Sequence, residues 1–149
     1  MRYFLITPYA KGGNLIDRII KWRTDEANKG PTEEEIYQFA LRMAKILHYI
    51  HYQALSNFRS KEGGSEQRKQ KMGIIHRDVK PQNIIFLTKD GKDMKDVYLL
   101  DFGVAKVGYA EYVKGYNNCG TSYYKAPEIG EGRVYNAKVD IYSFGCTLY

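Results

Sequence analysis

The sequence predicts an α+β fold, and three observations carry that prediction. The run TEEEIYQFALRMAKILHYIHYQ (32–53) places Ile36, Phe39, Ala40, Met43, Leu47 and Ile50 at helical spacing. Two short β-branched runs, NIIFL (83–87) and VYLLDF (97–102), are separated by polar residues that include Asp90–Gly91, the pattern of a hairpin. A further aromatic and β-branched run, YFLIT (3–7), stops at Pro8 and reads as a buried strand.

Taken in order, Gly12 and Gly13 mark a turn after that first strand, and a short helix is expected over roughly 14–22. The long helix begins at Thr32, whose side chain can form a capping box with Glu35 three residues on. Residues 55–71 turn polar, lack periodicity and carry Gly63–Gly64, so they read as a solvated, mobile insertion. The hairpin follows, then a segment rich in Gly, Tyr and Asn, and a last apolar helix from near Val139 to Tyr149. No internal repeat is visible.

At 149 residues the chain matches one ordinary domain, and 44% hydrophobic with 27% charged residues is a globular composition. The net charge of +6 suits polyanionic ligands such as nucleotides, although about half of such an excess is simply solvated surface. Only two cysteines occur, Cys119 and Cys146, far apart and without metal-ligand spacing, so a disulfide scaffold is not expected and a reducing setting fits better. The start, MRYFLITPYAKGG, has a very short apolar core broken by Pro8 and does not read as a signal peptide. No apolar run is long enough to span a bilayer. The expectation is an intracellular protein, cytoplasmic or nuclear, with no membrane or nucleic-acid partner; its oligomeric state is open.

The chemistry concentrates in GIIHRDVKPQN (73–83). Phosphoryl transfer needs a carboxylate to accept or orient a hydroxyl proton, a cation beside the moving phosphate and oxygen ligands for Mg²⁺. Mg²⁺ keeps several waters, so one carboxylate and one amide carbonyl are sufficient protein ligands. Asp78, Lys80 and Asn83 supply these pieces from one loop, and Asp101 after the hairpin can return beside Asn83.

HRDVKPQN (76–83), DFG (101–103) and APE (126–128), in that order around a hairpin, resemble the catalytic loop, metal-binding motif and activation-segment end of a eukaryotic protein kinase. The resemblance covers essentially the whole chain. It implies a protein-kinase-like fold, mostly the helical large lobe with a hinge strand and a catalytic-loop β-hairpin, and an incomplete domain. Residues 1–13 would be the last small-lobe strand and hinge, and 14–149 the first part of the large lobe. On this resemblance Asp78 is the base, Lys80 neutralises the γ-phosphate of ATP, and Asn83 and Asp101 hold Mg²⁺. Arg77 matches the arginine that pairs with an activation-loop phosphate. Glu128 matches a glutamate that anchors the segment, and Asp140 in DIYSFG, with Tyr142 where the family has Trp, would brace the loop through its backbone N–H groups. In YFLITPYAKGGNL, Thr7 falls at the gatekeeper position, Pro8 and Ala10 would face adenine with backbone groups, and Asn14 falls where an Asp often meets the ribose.

Lys80 two residues after the base and GTSYYKAPE (120–128) are similar to the serine/threonine form, with Thr121 hydrogen-bonding near Asp78 and Lys80. The expected partners are therefore ATP and a protein substrate offering a Ser or Thr hydroxyl. The wording HRDVKPQNIIFLTKDG, CGTSYYKAPEI and VYNAKVDIYSFGCTLY most resembles the NIMA-related kinases, although their usual activation-loop threonine is replaced near Asn117.

Plainer roles compete at each position. A lone Asp78 is more often a cap or a surface charge. His76 reads as a packing and hydrogen-bonding residue of the loop, and His48 and His51 as structural. Phe102 is expected to pack, with Gly103 letting the backbone turn. Tyr109, Tyr112 and Tyr116 read as surface or substrate-groove positions, and Lys106 faces either a phosphate or water. No G-x-G-x-x-G loop or strand lysine occurs in these residues, so the chain by itself is expected to have little phosphotransfer activity. A truncated, non-catalytic interaction module is the alternative; a Mg²⁺-dependent phosphohydrolase would leave APE and DIYSFG unexplained.

Overall fold

In the computed structural model, residues 7–25, 30–55, 72–88, 94, 96–109 and 120–149 are described. The strand expected over 3–7 apart from Thr7, the insertion apart from Leu55, and Tyr112, Tyr116 and Asn117 lie outside them. The described elements run α1 (Leu15–Thr24), α2 (Glu33–Tyr52), β1 (Met72–Ile75), β2 (Ile84–Phe86), β3 (Val97–Leu99), β4 (Lys106–Tyr109), α3 (Pro127–Gly130) and α4 (Lys138–Leu148). None of the helices is long and apolar enough to cross a membrane.

Helix α2 is the spine. Thr32 accepts from the Glu35 N–H, and the Glu35 carboxylate takes the Thr32 N–H at 2.7 Å, so the capping box forms as expected. Phe39, Met43, Leu47 and Ile50 then fall on one buried stripe, packed with Val79, Ile84, Phe86, Val97, Leu99 and Phe144. Met43 and Leu47 are fully buried, worth about 1.5–3 kcal/mol each. Ile36 departs from expectation and is 43% exposed, because the first turn of α2 projects beyond this core. The Phe39 and Phe144 rings, 5.9 Å apart, join α2 to α4.

The hairpin is the antiparallel pair β2–β3, in register Ile84 with Leu99 and Phe86 with Val97. On its other side β2 meets the N-terminal segment: Gly12 N–H donates to Phe86 O at 2.9 Å, and Phe86 N–H to Gly13 O at 3.0 Å. Gly13 has φ 69°, and the Asn14 side chain caps α1 by accepting from Asp17 N–H. Arg18 of α1 lies over the Phe86 ring at 3.3 Å from its centroid. The backbone of residues 12–14 is thereby fixed against the strand that leaves the HRDVKPQN loop.

A second antiparallel pair joins β1 to β4, Met72 with Tyr109 and Ile75 with Lys106, and was not anticipated. It brackets the loop: β1 enters it and β4 follows DFG. Gly73 in β1 lies under the end of α2, where a Cβ would come 1.7 Å from His51 O. A smaller core of Ile75, Ala126, Ile129, Tyr135, Ala137 and Val139 joins β1 to α3 and α4.

Candidate active site

Residues 76–83 bridge β1 and β2, closing in a 3₁₀ turn at Pro81–Asn83. Val79 is fully buried in the main core, so the residues on either side of it, Asp78 and Lys80, are turned together toward the partly open face. The loop is bolted from below by Asp140, itself 0% exposed. Its Oδ2 accepts from His76 N–H and from His51 Nε2–H, both at 2.8 Å, and its Oδ1 from Arg77 N–H at 2.7 Å. The brace expected of Asp140 is present, and the structural reading of His51 holds. The third donor, from α2, was not foreseen.

His76 is fully buried, accepts from Asp78 N–H at Nδ1 (3.3 Å) and donates from Nε2 to Leu100 O (2.8 Å). These partners define its neutral Nε2–H tautomer. The Phe102 ring meets it edge-on at 4.8 Å but stays 43% exposed, so its packing is one-sided. Arg77 and Asp101 both adopt left-handed backbone, φ 68° and 61°. For a non-glycine residue this costs about 1–2 kcal/mol. The left-handed conformation at DFG falls on Asp101, while Gly103 lies, as expected, in a turn, which Ala105 N–H closes on Phe102 O at 3.0 Å. Gly103 also donates its N–H to Asp101 Oδ1 at 3.1 Å.

Three of the residues expected to act with Asp78 touch it: Lys80, Asn83 and Thr121. Asp78 Oδ2 pairs with Lys80 Nζ at 2.7 Å and takes Asn83 Nδ2 at 3.2 Å. Its Oδ1 accepts from Thr121 N–H (3.0 Å) and Thr121 Oγ1–H (2.9 Å), and Thr121 Oγ1 in turn accepts from Lys80 Nζ at 2.7 Å. Gly120, φ 87°, allows this closure: a Cβ there would lie 2.4 Å from Arg77 O. Partial burial, the largest single influence on Asp78, opposes its ionisation. The hydrogen bonds from Lys80 and Thr121 and the Lys80 charge together outweigh it and hold the carboxyl below the usual range.

Asn83 Nδ2 also donates to Asp78 O at 2.8 Å, which sets the amide orientation and leaves Oδ1 outside that bonding. The Leu100 N–H donates to Asn83 O at 2.8 Å, so Asp101 follows directly on a residue tied to Asn83. Among the described residues no group of three or more His, Cys, Asp or Glu forms a metal cluster. A site made of one carboxylate, one amide oxygen and phosphate oxygens is the kind Mg²⁺ accepts. Farther off, Pro8 is exposed and Ala10 partly buried, with Ala10 O taking Gly13 N–H at 3.3 Å. Arg77 donates from Nε and Nη2 to Val104 O and from Nη1 to Tyr135 Oη. Neither acceptor was read from the sequence, because nothing local marks a tyrosine 58 positions away as its partner.

A buried aspartate holding the loop, Asp78 paired with Lys80 and a helical body around a hairpin agree with the resemblance to protein kinases that HRDVKPQN, DFG and APE carry. The sequence profile of the protein kinase domain matches residues 64–149. Over 148 residues the chain is 36% identical to serine/threonine-protein kinase Nek1 of Mus musculus, covering 98% of this chain and 10% of that protein. It is 35% identical over 148 residues to serine/threonine-protein kinase Nek5 of Homo sapiens, covering 99% and 17%. Ribosomal protein S6 kinase alpha-3 of Mus musculus is 30% identical over 146 residues, covering 98% and 16%. The chain belongs to the protein kinase family, in which its relatives include serine/threonine kinases of the Nek group. It spans less than a fifth of the length of each of these three relatives.

Proposed function

We propose that this chain carries the catalytic loop and metal-binding half of a serine/threonine protein kinase, which transfers the γ-phosphate of ATP to a protein Ser or Thr hydroxyl. The observation that carries this reading is the closed network of Asp78, Lys80, Thr121 and Asn83. Four donors hold the Asp78 carboxylate ionised, so it orients an incoming hydroxyl and receives its proton as the bond to phosphorus forms. Lys80, fixed between Asp78 and Thr121, offers its positive charge to the moving phosphate.

Asn83 through Oδ1 and Asp101 through its carboxylate would hold Mg²⁺. When bound, the ion neutralises the phosphate oxygens and orients them. The backbone of Pro8 and Ala10 would meet adenine, and Asn14, whose Oδ1 caps α1, would turn its amide NH₂ to the ribose. Arg77 supports the loop beside the base.

The test is Mg²⁺-ATP turnover by the full-length gene product with Ser/Thr peptides. Phosphate should appear on a peptide hydroxyl, and Asp78→Asn should reduce the rate by a factor of about 10²–10⁴. Transfer to water alone, or transfer indifferent to Asp78→Asn, refutes the reading. Absence of turnover together with tight protein binding would favour the interaction module.

A further inference from the structure

Arg77 stands in the left-handed region one residue before Asp78. A long side chain keeps that backbone only where its surroundings restrain it. The Arg77 N–H is fixed by buried Asp140 at 2.7 Å. The guanidinium is fixed independently: Nε and Nη2 donate to Val104 O, just after DFG, and Nη1 donates to Tyr135 Oη at 2.9 Å. Tyr135 is 3% exposed and packs in the core that joins Ile75 of β1 to Ala126, Ile129 and Val139. Its hydroxyl is therefore a fixed internal acceptor. A guanidinium beside a loop is the group that a phosphorylated segment recruits. Here each of its three nitrogens already donates to a neutral oxygen of the protein.

We propose that Tyr135 is a positioning residue for phosphotransfer: with the Val104 carbonyl, its hydroxyl fixes Arg77 and so sets Asp78, without a phosphate on the segment between them. The inference rests on the kinase reading and extends it to regulation, because the buried Tyr135 hydroxyl and the partly buried Val104 carbonyl hold Arg77 with no charged acceptor. Asp78 inherits its direction from Arg77, the residue that carries the unusual φ. Removing the Tyr135 hydroxyl takes away one of the three restraints on Arg77 and leaves the bonds to Asp140 and to Val104 O.

The experiment compares the phosphatase-treated full-length gene product with its Tyr135→Phe form. Wild type should keep its kcat within about twofold after dephosphorylation, while Tyr135→Phe lowers kcat about tenfold and leaves the KM for ATP within about twofold. Phenylalanine keeps the ring that fills the core, so the melting temperature should hardly move, which separates positioning from loss of fold. Loss of most wild-type activity on dephosphorylation, or a Tyr135→Phe kcat equal to wild type, overturns the proposal. If no form shows Asp78-dependent transfer, the kinase reading fails separately and hydrogen exchange decides the positioning. The amides of 77–80 and 104–107 should then exchange faster in Tyr135→Phe, and unchanged exchange overturns it.

Discussion

The Asp78 carboxylate is held below the ordinary aspartate range by Lys80 and Thr121 against the opposing effect of burial. Its folded pKa lies below the unfolded one, so its contribution to stability is present above the unfolded value. That contribution is lost as the pH falls through the folded value. The acid limb of kcat/KM assigned to Asp78 should accordingly lie below the ordinary carboxylate range. Lys80→Ala removes both a hydrogen bond and a positive charge, leaving burial less opposed. The acid limb of the residual activity should move up in pH, and a limb that stays in place would mean that Asp78 is not the titrating group. At this scale the sequence was informative, because Asp78, Lys80, Asn83 and Asp101 lie within a few residues of a loop or a turn. It was silent on Tyr135 and Val104, which reach Arg77 only through tertiary packing. It was silent too on the left-handed backbone of Asp101, which nothing in the DFG triplet marks.

Among the elements, α2 and the β2–β3 hairpin were legible, and for physical reasons. One has a buried stripe at helical spacing and a capping box, and the other has two close β-branched runs with turn residues between them. Thr32→Ala removes the cap and should cost about 1 kcal/mol in chemical denaturation. The β1–β4 ladder was not legible. Each strand is four residues long, the partners are distant in sequence, and no turn signal links them. Helix α3, at four residues, is too short to show a period. The glycine that lets β1 approach α2 offers the sharper test. Gly73→Ala would drive a methyl group into His51 O, and the strand must move away from the helix. Denaturation should show a loss of about 1–3 kcal/mol or more, whereas an unchanged midpoint would mean that the two elements do not touch.

Across the whole molecule Asp140 is where α4, α2 and the 76–83 loop meet, through His51, His76 and Arg77. Asp140→Ala would strand buried donors from two elements at once. The expected loss is about 3–5 kcal/mol, read by denaturation, with activity falling as the loop loses its anchor. Asp140→Asn keeps the shape but can offer only one acceptor oxygen, so it should recover part of that loss. The contact between Gly73 and His51 has a different consequence for how the gene can be handled. The chain leaves α2 just beyond His51 and comes back through β1 against that same residue. The connection between them therefore closes a loop whose two ends are already clasped, and its length is not set by any distance it must bridge. A reporter or affinity domain with adjacent termini, spliced between 56 and 71, should be accommodated without disturbing either anchor.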